Sequence, residues 1–264
     1  MKVSVITVCY NCCEELRKTI NSVLAQTYKD YEYIIIDGAS KDGTIPMLED
    51  LSSKEETAFR WYSEPDKGTY DAMNKGAQKA EGEWIIYMNA GDTFYSNTAL
   101  EEFFRQPIAD DVDVCYGNTL EIMEYGKVIT TRNDKKSINP VMPFIHQSVF
   151  VRAEVQRQHP FDQRFKIIAD YNLFYQLRNE NRKFEYRNVV VARYNARYGQ
   201  SASNPLRLWI ERYRVHGLDK KWYWPFVVLK CYVRYGWIRP YQKTAPRWFQ
   251  AWRMKRKIPN LQQQ

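Results

Sequence analysis

The stretch Glu64–Asp92, EPDKGTYDAMNKGAQKAEGEWIIYMNAGD, reads as loop, helix, strand and acidic loop, and that reading decides the fold. Asp66-Lys67-Gly68 is turn chemistry, and Thr69 suits the cap of a helix. Ala72, Met73, Gly76, Ala77 and Ala80 give that helix a narrow face of small residues, with Gly82 placed to end it. The run Trp84-Ile85-Ile86-Tyr87-Met88 is the next strand and delivers Asn89 and Asp92 at its carboxyl end. In open α/β sheets ligands sit at that end. A carboxylate held there between small neighbours, Ala90 and Gly91, suits a divalent cation that must also reach a phosphate.

Upstream, the chain alternates strand and helix. Val3–Val8 is an apolar strand, and Glu14–Gln26 has helical spacing through Leu16, Ile20, Val23 and Leu24. Tyr33–Ile36 is a near-continuous apolar run, the mark of a strand buried on both faces. The loop Asp37–Thr44 restarts a helix carrying Met47, Leu48 and Leu51, and Phe59–Tyr62 is a short third strand. The pattern β-α-β-α-β-α-β implies a parallel, Rossmann-like sheet.

Downstream the pattern is mixed. It predicts a helix over Ala99–Phe104, a strand over Val112–Tyr116, and a hairpin of Asn118–Met123 with Val128–Thr131 turning at Tyr125-Gly126. A loop over Asn133–Pro143, a strand over Gln147–Val151, a helix over Ala169–Leu177 and a strand over Val189–Arg193 follow. Asn195–Asn204 reads as a linker or lid.

The 264 residues admit one substantial core with an appendage. Five cysteines argue against a disulfide framework, and Cys9-Tyr10-Asn11-Cys12 has no second pair at zinc-ribbon spacing. Reduced thiols and a cytoplasmic location are therefore expected. The start, MKVSVITVCYNCC, is too short and too polar after Val8 for a signal peptide, and no run of 18 apolar residues occurs. The net charge of +8 is uneven: residues 205–264 hold 14 Lys/Arg against two Asp/Glu and six of the eight tryptophans. Residues 1–204 hold 25 Lys/Arg against 29 Asp/Glu, so a mildly acidic body carries a basic, aromatic tail.

Seven motifs in order, SVITVCYN, NSVLAQTY, IIIDGASKDGT, SEPDKGTYDAMNKG, MNAGD, FIHQSVF and FDQRFKIIADYNLF, resemble a family 2 glycosyltransferase with a GT-A fold, over roughly residues 1–195. The resemblance implies an α/β fold with a mostly parallel central sheet flanked by helices. A nucleotide-binding half (1–92) and a mixed acceptor half (93–204) would make one domain, followed by a helical basic tail (205–264). It implies bacterial cell-surface polysaccharide biosynthesis as the setting.

The same resemblance implies site residues. Tyr10 and Asn11 match the nucleobase loop, where an aromatic ring can stack on a base; Tyr10 also suits a packed strand-end aromatic. Asp37 can accept from a base N–H or a ribose hydroxyl, or be a turn residue that caps the next helix. Many relatives carry a second carboxylate next to it, expected to contact uracil, where this chain has Gly38. Asn89–Asp92 matches the family's D-x-D metal motif with only its final carboxylate, which makes Asp92 the ligand for Mg²⁺ or Mn²⁺ and Asn89 a neutral helper. Asp170 matches the general base of an E-D pair whose first member is Ala169 here, although an aspartate at a helix start is also ordinary helix chemistry. His146 is expected near the acceptor or diphosphate, with no chemical step assigned. Lys67, Asn74 and Lys75 are placed to approach the phosphates or donor sugar, or to lie on solvated surface.

In the tail, Pro225 can start a helix with Phe226, Leu229, Val233 and Trp237 on one face and Lys230 and Arg234 beside it. Trp222, Trp224, Trp248, Trp252 and Arg253–Lys257 extend that theme. The pattern suits an anionic membrane surface, with a helix pair packed on the core as the alternative; a nucleic-acid partner is not expected.

The resulting expectation is an inverting, metal-dependent enzyme that moves one sugar from a nucleoside-diphosphate sugar to a lipid-linked or polysaccharide acceptor, peripheral on the inner face of the cytoplasmic membrane. Absence of a Q-x-x-R-W motif favours single transfer over processive synthesis. A nucleotidyltransferase would want a glycine-rich loop at Cys9–Cys12, and a non-catalytic scaffold would accommodate Gly38, Asn89 and Ala169.

Overall fold

A computed structural model describes residues 3–54, 58–123, 126–130, 142, 144–196 and 204–244. Its first part runs β1 (Val3–Cys9), α1 (Cys13–Leu24), β2 (Tyr31–Asp37), α2 (Thr44–Ser52), β3 (Arg60–Ser63), α3 (Thr69–Lys79) and β4 (Trp84–Tyr87), the alternation expected. β1 pairs in parallel with both β2 and β4, and β2 with β3, giving the order β3-β2-β1-β4.

The continuous apolar character of β1 and β2 follows from cover on both faces. Val3, Val5 and Cys9 pack with Leu16, Ile20 and Val23 of α1 and Met47 and Leu48 of α2. On the other face, α3 lies so close that a Cβ on Gly76 would stand 2.5 Å from Ile6 Cγ2. Here a small residue is a packing requirement. The buried hydroxyls of β1 are satisfied: Ser4 donates to Glu32 at 2.6 Å and Thr7 to the Met88 carbonyl at 2.6 Å. Thr69 is the first helical residue of α3 rather than its cap. Gly68 holds the cap position with φ +120°, a conformation glycine reaches without strain.

The second part runs β5 (Thr93–Phe94), α4 (Ala99–Phe104), β6 (Val114–Met123), β7 (Gly126–Thr130), a 3₁₀ turn (His146–Ser148), β8 (Val149–Arg152), α5 (Ala153–Gln158), α6 (Ala169–Asn179) and β9 (Phe184–Asn195). The sheet continues β4-β8-β6-β9-β5, with β7 on β6. β4–β8, β6–β8 and β5–β9 are antiparallel, so the sheet as a whole is mixed.

Several boundaries differ from expectation. The expected strand at 112–116 and first hairpin arm at 118–123 form one strand, β6, because Gly117 continues the strand beneath its neighbour: a Cβ there would meet the Val189 carbonyl at 2.6 Å. His146 to Ser148 form a 3₁₀ turn before β8, and β9 begins at Phe184 rather than Val189. β5 and α5 were not anticipated. Most of the expected loop 133–143, the turn residue Tyr125 and most of 195–204 lie outside the described residues.

The chain forms two compact units, Met1–Leu120 with Ile129–Tyr194, and Glu121–Val128 with Asn195–Gln264. In the second, α7 (Pro205–Val215) is followed by a 3₁₀ turn (Leu218–Lys220) and α8 (Trp224–Thr244). Val215 and Cys231 are buried, the Arg234 guanidinium lies 4.6 Å over the Trp209 ring, and that of Arg214 lies 5.8 Å over Trp224. Trp222, Phe226, Leu229, Val233 and Trp237 are exposed, Trp222 and Trp237 by 84 % and 79 %. Among the described residues no helix is long and apolar enough to cross a membrane. Trp248, Trp252 and Arg253–Lys257 lie outside them.

Candidate active site

The loop after β4 is shaped by Gly91, whose φ of +95° lets the chain fold back so that the Asp92 N–H donates to the Asn89 carbonyl at 2.9 Å. Thr19 of α1 fastens this loop from below. Its hydroxyl donates to the Asp92 carbonyl at 2.7 Å and accepts the Gly91 N–H at 3.0 Å. The Asp92 side chain is buried, and Gln147 Nε2 donates to its Oδ2 at 2.9 Å.

His146, the residue before Gln147, turns to a second carboxylate. Its Nδ1 lies 3.2 Å from Asp170 Oδ2, and its Nε2 lies 3.5 Å from the Asn89 amide nitrogen. Asp170 sits in the first turn of α6, where Oδ1 accepts the Tyr171 N–H at 2.8 Å. The Tyr70 hydroxyl of α3 stands 3.1 Å from the same oxygen and 2.8 Å from the Ile167 carbonyl. Burial pulls the His146 pKa down, but the hydrogen bond and charge of Asp170, with the charge of Asp92, outweigh it and hold the imidazolium above its ordinary range. A 3₁₀ turn thus sets consecutive side chains on the two carboxylates.

The donor set around Asp92 fits a divalent cation. The Asn89 Oδ1 and Gln147 Oε1 atoms are buried without a hydrogen-bond partner. An unmatched buried oxygen costs about 1–3 kcal/mol, and a hard cation beside the Asp92 carboxylate would offset that cost. Among the described residues no group of three or more His, Cys, Asp and Glu gathers. A cation here would take one carboxylate with neutral oxygens and leave positions for phosphate oxygens and water, as Mg²⁺ and Mn²⁺ accept.

On the nucleotide side, Tyr10 follows β1 with its side chain 59 % exposed, available for stacking. Asn11, at φ +49°, joins the first two βα loops: its N–H donates to Ser40 Oγ at 2.8 Å and its Oδ1 accepts the Lys41 N–H at 2.7 Å.

Asp37 is engaged within the protein. It is fully buried, its Oδ2 accepts the Ser40 N–H at 2.9 Å and Ser63 Oγ at 2.7 Å, and its Oδ1 accepts the Ser40 hydroxyl. Its task is to order the loop. Asn74 is likewise engaged, both ends of its amide binding the Phe161 backbone at 2.8 Å. Lys75 reaches the Pro65 carbonyl at 2.8 Å, and Lys67 is exposed, with its own N–H given to Asp71.

The structure therefore brings together Asn89, Asp92, His146 and Asp170. It adds Thr19, Tyr70 and Gln147, which sequence reasoning did not single out. Gln147 and Tyr70 stood inside quoted motifs, whereas Thr19 carried no local signal.

The profile of the family described as Glycosyl transferase family 2 matches residues 4–153. The chain is 42 % identical over 93 residues to the uncharacterised glycosyltransferase Rv1514c of Mycobacterium tuberculosis, covering 35 % of this chain and 34 % of that protein. It thus spans about a third of that relative's length. With the PGL/p-HBAD biosynthesis glycosyltransferase Rv2957 of the same organism it shares 25 % identity over 206 residues, covering 73 % of this chain and 76 % of the relative. Among solved structures, the mannosyltransferase PcManGT from Pyrobaculum calidifontis, in complex with GDP-Man and Mn²⁺, superposes with a TM-score of 0.64 at 14 % identity. That match covers 87 % of this chain and 69 % of that one.

Proposed function

The chain belongs to glycosyl transferase family 2, and on that premise we propose that it transfers a single sugar, with inversion, from a nucleoside-diphosphate sugar to a hydroxyl of a lipid-linked or saccharide acceptor. One observation carries this reading: His146 and Gln147, adjacent in the chain, each hold one of two carboxylates that a displacement at a sugar carbon needs, Asp170 and Asp92.

Asp170 takes the proton of the attacking hydroxyl. A hydroxyl is a weak nucleophile until its proton leaves, and a carboxylate fixed from three sides stays oriented toward it. Tyr70, the Tyr171 N–H and His146 provide that fixing. His146, drawn toward its charged form by both carboxylates, lessens the repulsion between them. Asp92, with Asn89 and Gln147 oxygens, would hold Mg²⁺ or Mn²⁺, and a bound cation would neutralise charge on the departing diphosphate. The Mn²⁺ and GDP-Man bound to PcManGT support this reading. Tyr10 stacks on the nucleobase.

The acceptor class is supported by the name of the mycobacterial relative, a PGL/p-HBAD biosynthesis enzyme, and by the tail. Residues 1–204 are the catalytic domain in this reading, and 205–264 a peripheral anchor for an anionic membrane on its cytoplasmic face. The exposed Trp222, Phe226, Leu229, Val233 and Trp237 would enter the interface while the surplus of Lys and Arg meets lipid headgroups.

The test is donor turnover with Mn²⁺, with chelator, and in Asp92→Asn and Asp170→Asn. Activity that needs metal and is lost in both variants supports the proposal. Equal turnover in all four arms refutes it, and no turnover in the unaltered protein under any donor points to the scaffold reading.

A further inference from the structure

Gly38 takes the position where the family resemblance implies a second carboxylate, yet the space that its side chain would occupy is filled. A Cβ on Gly38 would lie 2.5 Å from Asp66 Oδ2, 3.2 Å from Asp66 Cγ and 3.2 Å from Tyr10 Cδ2. The Asp66 carboxylate, arriving from the loop between β3 and α3, therefore occupies the side-chain position of residue 38 beside the exposed Tyr10 ring. We infer that Asp66 reads the N–H edge of the donor's nucleobase, and that this chain selects bases with a ring N–H, namely uracil, thymine or guanine, over cytosine and adenine. The inference rests on the reading of the site as one for a nucleoside diphosphate.

Three features support it. Asp37, the neighbouring carboxylate, is fully buried and committed to Ser40 and Ser63, so it has no face for a base. Asp66 is held in one orientation, because its Oδ1 accepts the Gly68 N–H at 2.7 Å across a turn that the positive φ of Gly68 permits, and Lys75 steadies the preceding carbonyl of Pro65 at 2.8 Å. Among the described residues Oδ2 accepts no hydrogen bond, and Asp66 as a whole is half-buried, unlike the fully buried Asp37.

The chemistry then decides the base. An ionised carboxylate only accepts. Uracil and thymine offer one ring N–H, and guanine offers a ring N–H with an adjacent amino group, so each can donate to Oδ2 while its face lies on Tyr10. Cytosine and adenine offer no ring N–H there, only an exocyclic amino group beside an unprotonated ring nitrogen, and that nitrogen's lone pair repels the carboxylate and weakens the contact. Hydrogen bonds to a charged partner are among the stronger ones, and losing one lowers affinity by about tenfold or more.

The experiment is calorimetric titration of UDP, TDP, GDP, CDP and ADP, with Mn²⁺, into the full chain and its Asp66→Asn variant. Asn keeps an oxygen for the Gly68 N–H but presents an amino group where Oδ2 stood, so the fold is retained, as an unchanged melting temperature would report. The full chain should bind at least one of UDP, TDP and GDP about tenfold or more tighter than CDP and ADP, and D66N should erase or reverse that order. In a second arm, Asp66→Ala should lose the order and the double variant Gly38→Asp with Asp66→Ala should regain it, since residue 38 then has room for its own carboxylate. An unaltered base order in D66N and D66A overturns the inference while leaving the donor reading intact. Preference of the full chain for CDP or ADP also overturns it. Failure of the full chain to bind any nucleoside diphosphate removes the donor reading and this inference with it.

Discussion

His146 Nδ1 stands 3.2 Å from Asp170 Oδ2, across 24 positions of chain, while its neighbour Gln147 holds Asp92 at 2.9 Å. The proposed base and the proposed metal carboxylate are thus referenced to one short turn rather than to each other.

Replacing Asp170 by Asn should lower kcat by about 10²–10⁴-fold, the usual contribution of a positioned proton acceptor. Nucleoside-diphosphate affinity should stay unchanged, because the carboxylate faces the acceptor in this reading. Steady-state kinetics with parallel calorimetry separates the two, and retained transfer in the variant rejects Asp170 as the base.

Gln147→Ala removes the donor to Asp92 and one of this site's two buried, unpartnered oxygens. The Mn²⁺ concentration for half-maximal activity should rise by about 10–100-fold, the usual cost of losing a group that orients a metal ligand. Saturating Mn²⁺ should restore most of the rate. A variant whose Mn²⁺ titration overlays the original would show that Gln147 plays no part in holding metal.

Gly76→Ala forces a methyl group to within 2.5 Å of Ile6 Cγ2. Alanine's better helix propensity, worth about 1 kcal/mol, works against the clash, whose cost in a tight core is about 1–3 kcal/mol. The net should be destabilising, read as a lower urea midpoint at unchanged slope. A midpoint equal to or above the original would mean α3 has room to shift.

Asp71 ties α3 to the preceding loop and to Gln163. Burial raises its pKa, but the Lys67 N–H, Lys75 and Gln163 lower it further, and the net direction is down. A carboxyl depressed on folding adds stability that is fully present above its unfolded value, about 3.9, and is lost as pH falls through the folded value. Acid titration of thermal stability should therefore fall less steeply below about pH 4 in Asp71→Asn than in the original chain. Superimposable profiles would remove Asp71 from the acid response.

Changing Trp222, Phe226 and Trp237 together to Ser leaves the buried Val215 and Cys231 and the Trp209–Arg234 contact in place. Co-sedimentation with vesicles rich in anionic lipid should drop sharply, and raised salt should weaken the unaltered protein's binding. Sedimentation unaffected by either change would end the membrane reading of the tail.

The parallel half of the fold was legible because its signals are local. Apolar runs buried on both faces gave β1 and β2, and the small-residue face of α3 is read directly from Ala72, Met73, Gly76 and Ala77. β5, two residues long, and α5, six residues long, are below the length at which periodicity speaks. Gly117 looked like a break because a close backbone neighbour leaves no trace nearby in sequence. The site divides the same way. Asp92, His146 and Asp170 could be singled out by motif, but the burial of Asp37 depends on Ser63, 26 positions on, and the capture of Asn74 on Phe161, 87 positions on.

The shared turn of His146 and Gln147 also bears on how this chain can vary. β8 begins two residues after Gln147 and is registered on β4 through Phe150 opposite Ile86. An insertion or deletion between 147 and 150 would slip both side chains off their carboxylates at once, whereas length changes before Phe144 leave the registered segment untouched. Length drift among homologues should accordingly be tolerated on the upstream side of this turn and selected against on the downstream side.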